Sequence, residues 1–245
     1  MRIATIQFEA IKGNIEKNLK NHLKWIKEVI RHQADIAFFP ELSLTGYEPD
    51  LAESLATNQD DTRLDVIQSL SDENNITIGV GLPTKNERDV LVSMIIFQPH
   101  KERITYSKQY LYPPEESTFK AGKNSLVLKF KTEVVSPAIC YETKNKAHCE
   151  FAKRNNATIY MASVLCSING IDDEQKKLSG IARDNQLITL MANYVGTSGG
   201  YECAGKSAIW NKDGELIGQL GDKDEGFIIY DTKSKEIITS TATIH

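Results

Sequence analysis

Glu41, Lys108 and Cys140 are three chemically capable side chains, each set at the end of an apolar, strand-like run. Residues at strand ends stand at the edge of a sheet, where α/β proteins usually keep their sites. Cys140 closes TEVVSPAIC and supplies a thiol, a strong nucleophile once it loses its proton. A helix expected over 144–155 brings backbone N–H groups and a positive helix end toward the sulfur, which would lower the thiol pKa. Glu41 follows DIAFFP. Burial there raises a carboxyl pKa and makes it a usable general base. Lys108 follows ERITYS and precedes an aromatic, proline-rich loop. A cation fixed at that point stabilises a thiolate and a developing oxyanion.

Each of these residues also has an ordinary reading: a surface turn acid, a solvated lysine and a buried structural cysteine. Cys149, Cys166 and Cys203 take the structural reading, although Cys166 follows MASVL at another strand end, close to where a pocket would open. His148, on the helix after Cys140, offers a Cys–His pair as an alternative, but no motif places an orienting Asn or Asp beside it. There is no HExxH and no clustered Cys/His spacing, so no metal is expected.

The elements that must position these residues alternate in type. Residues 2–8 alternate as a strand. Asn14 then reads as the cap of a helix carrying Ile15, Leu19, Leu23, Ile26 and Ile30 at helical spacing. DIAFF at 35–39 is a short strand, residues 61–73 a helix, and strand-like runs start at Ile76, Val90 and Glu102. In the second half SLVLKF and TEVVSPAIC are strands, TIYMAS follows the 144–155 helix, and residues 173–187 are helical with Leu178, Ile181 and Ala182 inward. ITLMANYV, SAIWNKDGELIGQL and GFIIYD close the chain as strands, with a hairpin turn at Asp213-Gly214. The pattern predicts an α/β protein with mixed sheets and outer helices.

The 245 residues carry a formal net charge of -4, which argues against a dedicated nucleic-acid binder. No run is long and apolar enough to span a membrane, and no basic-then-apolar leader opens the sequence. Four cysteines without a CxxC pair fit reduced thiols in a cytoplasmic protein. No linker-like or low-complexity tract interrupts residues 1–245, so one domain is expected.

PELSLTGY around Glu41, SKQYLYPPEESTFKAG around Lys108 and AICYE around Cys140 resemble the three signature blocks of the nitrilase-like carbon–nitrogen hydrolases. ATIYMAS, SGIARDNQLITLMANYVG and GKSAIWNKDGE continue the resemblance across almost the whole chain. It implies a four-layer αββα sandwich that acts on a small amide, ω-amide or carbamoyl compound without a cofactor. Glu41 is similar to the family's general base, Lys108 to its oxyanion-stabilising lysine, and Cys140 to its nucleophile. Glu115, seven residues before Gly122, matches the glutamate that orients the lysine, with Glu116 as the neighbour in case of a one-residue slip. The backbone N–H of Tyr141 is implied as the second oxyanion donor, and Tyr47, Tyr112, Tyr141, Ser163 and Cys166 are the candidate pocket walls. Family members usually pair, so a homodimer or larger homo-oligomer is expected.

The sequence departs from the family in three places. TKNKAHCEFAKR replaces the FPE-type segment after the cysteine, Ala162-Ser163 stands where Pro-Ser is frequent, and Lys212 replaces the closing proline. These changes touch the pocket more than the catalytic set. Nitrile hydrolysis is a weaker reading, because true nitrilases usually carry Trp where this chain has Tyr141. A non-catalytic binding protein on the same fold is the second class of function.

Overall fold

The computed structural model describes residues 1–86 and 88–242. The first half runs β1 (Arg2–Gln7), α1 (Ile15–Arg31), β2 (Ile36–Phe38), α2 (Ala52–Leu55), α3 (Asp65–Asn74), β3 (Thr77–Lys85), β4 (Val90–Phe97) and β5 (Ile104–Ser107). The second runs β6 (Leu128–Lys129), β7 (Val134–Ile139), α4 (Lys146–Arg154), β8 (Ile159–Ser163), α5 (Ile171–Asn185) and β9 (Ile188–Ala192). It continues with β10 (Thr197–Ser198), β11 (Tyr201–Glu202), β12 (Ala208–Trp210), β13 (Leu216–Gln219), β14 (Glu225–Asp231) and β15 (Ile237–Ala242).

These strands form a seven-stranded sheet in the order β15-β14-β1-β2-β3-β4-β5, a six-stranded sheet in the order β13-β12-β9-β8-β7-β6, and the small β10-β11 pair. Three buried apolar clusters fix the layers. In β1, Ile3 faces the second sheet while Ala4 and Ile6 face α1, as the two-residue period of a strand requires. The outer cluster under α1 and α3 joins Trp25, Ile26, Val29 and Ile67 to the outer face of the first sheet. The central cluster joins Phe38, Met94 and Ile96 of the first sheet to Val135, Met161 and Leu190 of the second. The third packs Ala152, Leu178 and Ala182 of α4 and α5 on Tyr160, Ala162 and Met191. Helix, sheet, sheet and helix therefore stack as an αββα sandwich.

Asn14 caps α1 as expected, its side chain accepting from the N–H of Lys17 at 3.0 Å. The turn at Asp213-Gly214 joins β12 to β13, with Gly214 at φ +80°. Several elements differ from the sequence reading. The 61–73 helix is split into a 3₁₀ turn (Thr62–Leu64) and α3, because Asp61 caps the turn through the N–H of Arg63. The SLVLKF strand shrinks to β6, which pairs with β7 only at Leu128 and Lys129. The 144–155 helix is shorter, and a 3₁₀ turn (Cys140–Lys144) precedes it. The 173–187 helix begins earlier, at Ile171, and ends at Asn185. The β10-β11 pair and β15 were not anticipated. The polar edge strand β15 is held by its pairing with β14 rather than by a buried apolar face.

Two close approaches seat the Glu41 segment. Gly81 of β3 lies under Pro40–Leu42, where a Cβ would fall 2.3 Å from the Leu42 nitrogen and 2.8 Å from the Pro40 oxygen. The Leu44 N–H then donates to the Gly81 carbonyl at 2.9 Å. Gly81→Ala is expected to push this segment off the sheet and destabilise the fold by on the order of 1–3 kcal/mol, the usual cost of overpacking. An unchanged melting temperature would show that the contact is not binding on the fold.

Candidate active site

Glu41, Lys108 and Cys140 follow the C-terminal ends of β2, β5 and β7, from two different sheets. β2 runs parallel to β3, and β5 runs antiparallel to β4, itself antiparallel to β3, so β2 and β5 point the same way. The sheets meet at this end, where Phe8 and Tyr194, just beyond β1 and β9, form a parallel bridge. Strand ends of both sheets therefore open on one cleft.

Lys108 is completely buried between two carboxylates. Its Nζ donates to Glu41 Oε1 at 2.6 Å and to Glu115 Oε1 at 2.8 Å. An ammonium has three protons, so one remains after these two bonds. The Lys108 N–H donates to the Val92 carbonyl, and the Gly122 N–H closes the loop on the Lys108 carbonyl at 2.7 Å. A Cβ at Gly122 would lie 2.2 Å from the Ser107 oxygen, which explains the glycine at that point. Burial pulls the ammonium pKa down, and Glu41, Cys140 and Glu115 together outweigh it, so Lys108 stays charged.

Glu115, on a 3₁₀ turn (Pro113–Ser117), accepts from the Tyr47 hydroxyl at 2.9 Å and from the Tyr112 N–H at 2.8 Å. Glu116 is exposed, which decides between the two neighbours in favour of Glu115 as the partner of Lys108. Glu41 is held through its own carbonyl, which accepts from the Tyr194 hydroxyl at 2.5 Å. Its Oε2 is buried and has no hydrogen-bond partner among the described residues. Burial pushes the Glu41 carboxyl up to about 7, with Lys108 pulling it down and Glu115 adding to the rise.

Cys140 opens its 3₁₀ turn at φ +46°, a left-handed conformation that a β-carbon makes costly and that only surrounding structure maintains. It is half-buried, and its thiol exerts a minor downward pull on the Glu41 carboxyl against that group's net rise. The expected lowering of the thiol pKa is not what the structure shows. Burial and the Glu41 carboxylate push Cys140 well above the ordinary thiol value, against the pull of Lys108. The helix end that was to lower it lies farther on, at Lys146. Both influences, burial and the Glu41 carboxylate, favour the protonated thiol at Cys140.

A cavity of about 280 Å³ opens over Cys140, with Glu41, Tyr47, Tyr112, Glu115, Tyr141 and Cys166 among its walls. The rings of Tyr112 and Tyr141 lie 5.6 Å apart. Ser163 is not a wall. It shares the inner face of β8 with Ile159 and Met161, and the chain reaches the cavity only at Leu165–Ser167. Sequence reasoning also missed walls supplied by α5 and the β10-β11 pair, namely Asp173, Glu174, Lys177 and Tyr201. The charged 172–177 stretch at the start of α5 was the available signal, since only the later part of that helix carries the apolar face. Lys177 pairs with Glu174, while Lys144 lies over the Tyr141 ring at 5.2 Å.

His148 does not pair with Cys140. Its Nδ1 is 2.8 Å from the Tyr160 hydroxyl and its Nε2 2.9 Å from the Tyr106 hydroxyl, and burial lowers its pKa to about 4. Among the described residues no helix is long and apolar enough to cross a membrane.

Comparison with known proteins bears on the family and the fold. The chain is 22% identical over 229 residues to the hydrolase in agr operon of Staphylococcus aureus, covering 91% of this chain and 87% of that protein. It is 24% identical over 234 residues to an (R)-stereoselective amidase of Pseudomonas sp., covering 92% and 82%. Among solved structures, a mutant amidase from Nesterenkonia sp. AN1, bearing acrylamide on its active-site cysteine, superposes with a TM-score of 0.87. That pair is 22% identical and covers 96% of this chain and 94% of the other, a likeness of fold. The sequence model of the carbon–nitrogen hydrolases matches residues 2–240, and with the αββα sandwich beneath it the chain belongs to the carbon–nitrogen hydrolase family.

Proposed function

We propose that the chain hydrolyses the C–N bond of a small linear amide, ω-amide or carbamoyl compound through a thioester on Cys140. The observation that carries this reading is the buried Lys108, bonded to both Glu41 and Glu115, two carboxylates that line the same cavity as Cys140. Cys140 Sγ attacks the carbonyl carbon as its proton passes to Glu41. The unpartnered Oε2 is the free acceptor on that carboxylate. The tetrahedral oxyanion takes hydrogen bonds from the remaining Lys108 proton and from the Tyr141 N–H. Glu41 then gives its proton to the departing ammonia or amine, leaving the thioester. Water attacks the thioester while Glu41 takes its proton, and the acid leaves as the thiol is restored.

A cavity of this size admits a small molecule, and walls that include Lys144, Asp173 and Glu174 favour a polar one. Amide chemistry is also what the names of its relatives carry, among them the Pseudomonas amidase and a mutant Nesterenkonia amidase in complex with butyramide. Nitrile hydrolysis by the same residues is the second reading, and Tyr141 in place of Trp disfavours it.

A panel of small amides, carbamoyl amino acids and nitriles, followed by ammonia release, tests the reading. Turnover confined to amides or carbamoyl compounds supports it, turnover of nitriles alone replaces it, and none at all favours the binding protein. The acidic limb of kcat/KM should lie near pH 7, because Glu41 must be ionised to accept the proton and burial holds its pKa there. A limb near 4.5, the ordinary value of a glutamate carboxyl, would remove Glu41 as the base. The reading includes a homodimer or larger homo-oligomer, which light scattering checks.

A further inference from the structure

Glu142 lies two residues beyond Cys140 and is completely buried. Its Oε1 accepts from the N–H of Gln109, the residue after Lys108, at 2.7 Å. Its Oε2 accepts from the N–H of Ile139, the residue before Cys140, at 2.7 Å, and from the Tyr106 hydroxyl at 2.8 Å. One carboxylate thus spans the backbones that carry two of the reacting side chains, and these backbones come from opposite sheets. Among the described residues no other side chain bonds to both of these backbones. Because the Tyr106 hydroxyl gives its proton to Glu142, the tautomer of His148 that fits is the one donating from Nε2 to Tyr106 and accepting at Nδ1 from Tyr160, which points the row toward Glu142.

We infer that Glu142 is a positioning residue, a clamp that sets the distance between Lys108 and Cys140 without touching substrate. The inference rests on Cys140 being the nucleophile. A carboxylate is suited to the place because all three of its neighbours are donors and it is acceptor-only when ionised. Burial pushes its pKa up, to about 7, and the Gln109, Ile139 and Tyr106 donors work against that rise. Both clamped N–H groups sit one residue from a reacting side chain, so slack in the clamp passes directly to Lys108 and Cys140. A misplacement of about 1 Å in such a constellation can cost on the order of 100-fold in rate.

Glu142→Gln keeps the volume and one acceptor oxygen, but turns an N–H donor toward one of the three donors. Oriented to keep Ile139 and Tyr106, the amide faces the Gln109 N–H and opens the clamp on the Lys108 side. The measurement is peptide-resolved labelling of the four cysteines by iodoacetamide at pH 7, in which Glu41 takes the Cys140 proton as the S–C bond forms and iodide leaves; it needs no knowledge of the substrate. In Glu142→Gln, labelling of Cys140 should slow by about tenfold or more, while buried Cys149 and Cys203 stay protected. A merely structural role would instead raise labelling at Cys149 and Cys203 and leave Cys140 fast. Tyr106→Phe keeps both backbone bonds to Glu142 and should leave Cys140 labelling within about threefold, since of the three donors on that carboxylate it removes only the hydroxyl, together with that hydroxyl's bonds to His148 and Gln109. Should Glu142→Gln fail to fold, Glu142→Asp, which retains the charge but not the reach, decides by the same comparison.

Cys140 labelling within twofold of the unaltered chain in the folded Glu142 variant would overturn the inference. An equal loss in Tyr106→Phe would also do so, by moving the effect to the buried row. If Cys140 reacts no faster than the other thiols in the unaltered chain, the proposed nucleophile itself fails, which is a separate result.

Discussion

Cys140→Ala is expected to abolish ammonia release from any amide the unaltered chain hydrolyses, while the protein keeps its fold. Removing the nucleophile of an acyl-transfer triad costs on the order of a million-fold, because the remaining groups act as a unit around it. Little else should change, since among the described residues the thiol's partners are the Glu41 carboxyl and, at 3.9 Å, the Leu165 carbonyl. Cys140→Ser should be nearly as inactive. A hydroxyl is far less acidic than a thiol, and Glu41, held near pH 7 by burial, is too weak a base to ionise it. The check is a comparison of ammonia release and thermal melting for both variants. Residual turnover above about 1% in Cys140→Ala would place the chemistry elsewhere, since a lost nucleophile costs far more than 100-fold.

Lys108→Met carries the second large effect, and it should strike activity and stability together. The variant loses an oxyanion donor, worth on the order of 100- to 1,000-fold in rate. It also leaves Glu41 and Glu115 buried side by side without a cation, and breaking a buried pair in this way costs about 3–5 kcal/mol. The pH dependence has a definite sign. Lys108 pulls the Glu41 pKa down, so its removal raises a pKa that burial already holds up. An acid whose folded pKa is raised is most favourable to folding below its unfolded pKa, and that contribution is lost as pH rises through the folded value. Lys108→Met should therefore melt closest to the unaltered chain near pH 4.5 and fall progressively behind as pH rises to 7 and beyond. A melting deficit that is equal at pH 5 and pH 8 would argue against a carboxylate origin.

Much of the site was legible because the reactive residues stand where apolar runs stop. The DIAFFP, ERITYS and VVSPAIC segments are strand-like by composition, and a polar residue at such an end has few places to go but a sheet edge. The choice between Glu115 and Glu116 was not legible, since adjacent residues of one turn differ only in which way each points. The structure buries Glu115 against Lys108 and leaves Glu116 in solvent. Ser163 was misplaced for a similar reason. A strand alternates faces, and whether its last residue lines a cleft or the core depends on where the chain leaves the sheet, here two residues later at Leu165. Glu142 was in view within AICYE but acquired a role only when its partners on β5 and its neighbouring loop came within reach.

The amino-acid sequence alone determined the alternation of helices and strands, because periodicity and turn chemistry act over a few neighbouring residues, while the candidate site residues and their order came from the resemblance of their flanking blocks to the carbon–nitrogen hydrolases. Tertiary structure decided the rest. Which carboxylates meet Lys108, what favours the protonated thiol at Cys140, and how α5 and the β10-β11 pair wall the cavity all depend on contacts between segments far apart in the chain. Desolvation and Coulomb interactions act through space, and only packing of the two sheets sets those distances.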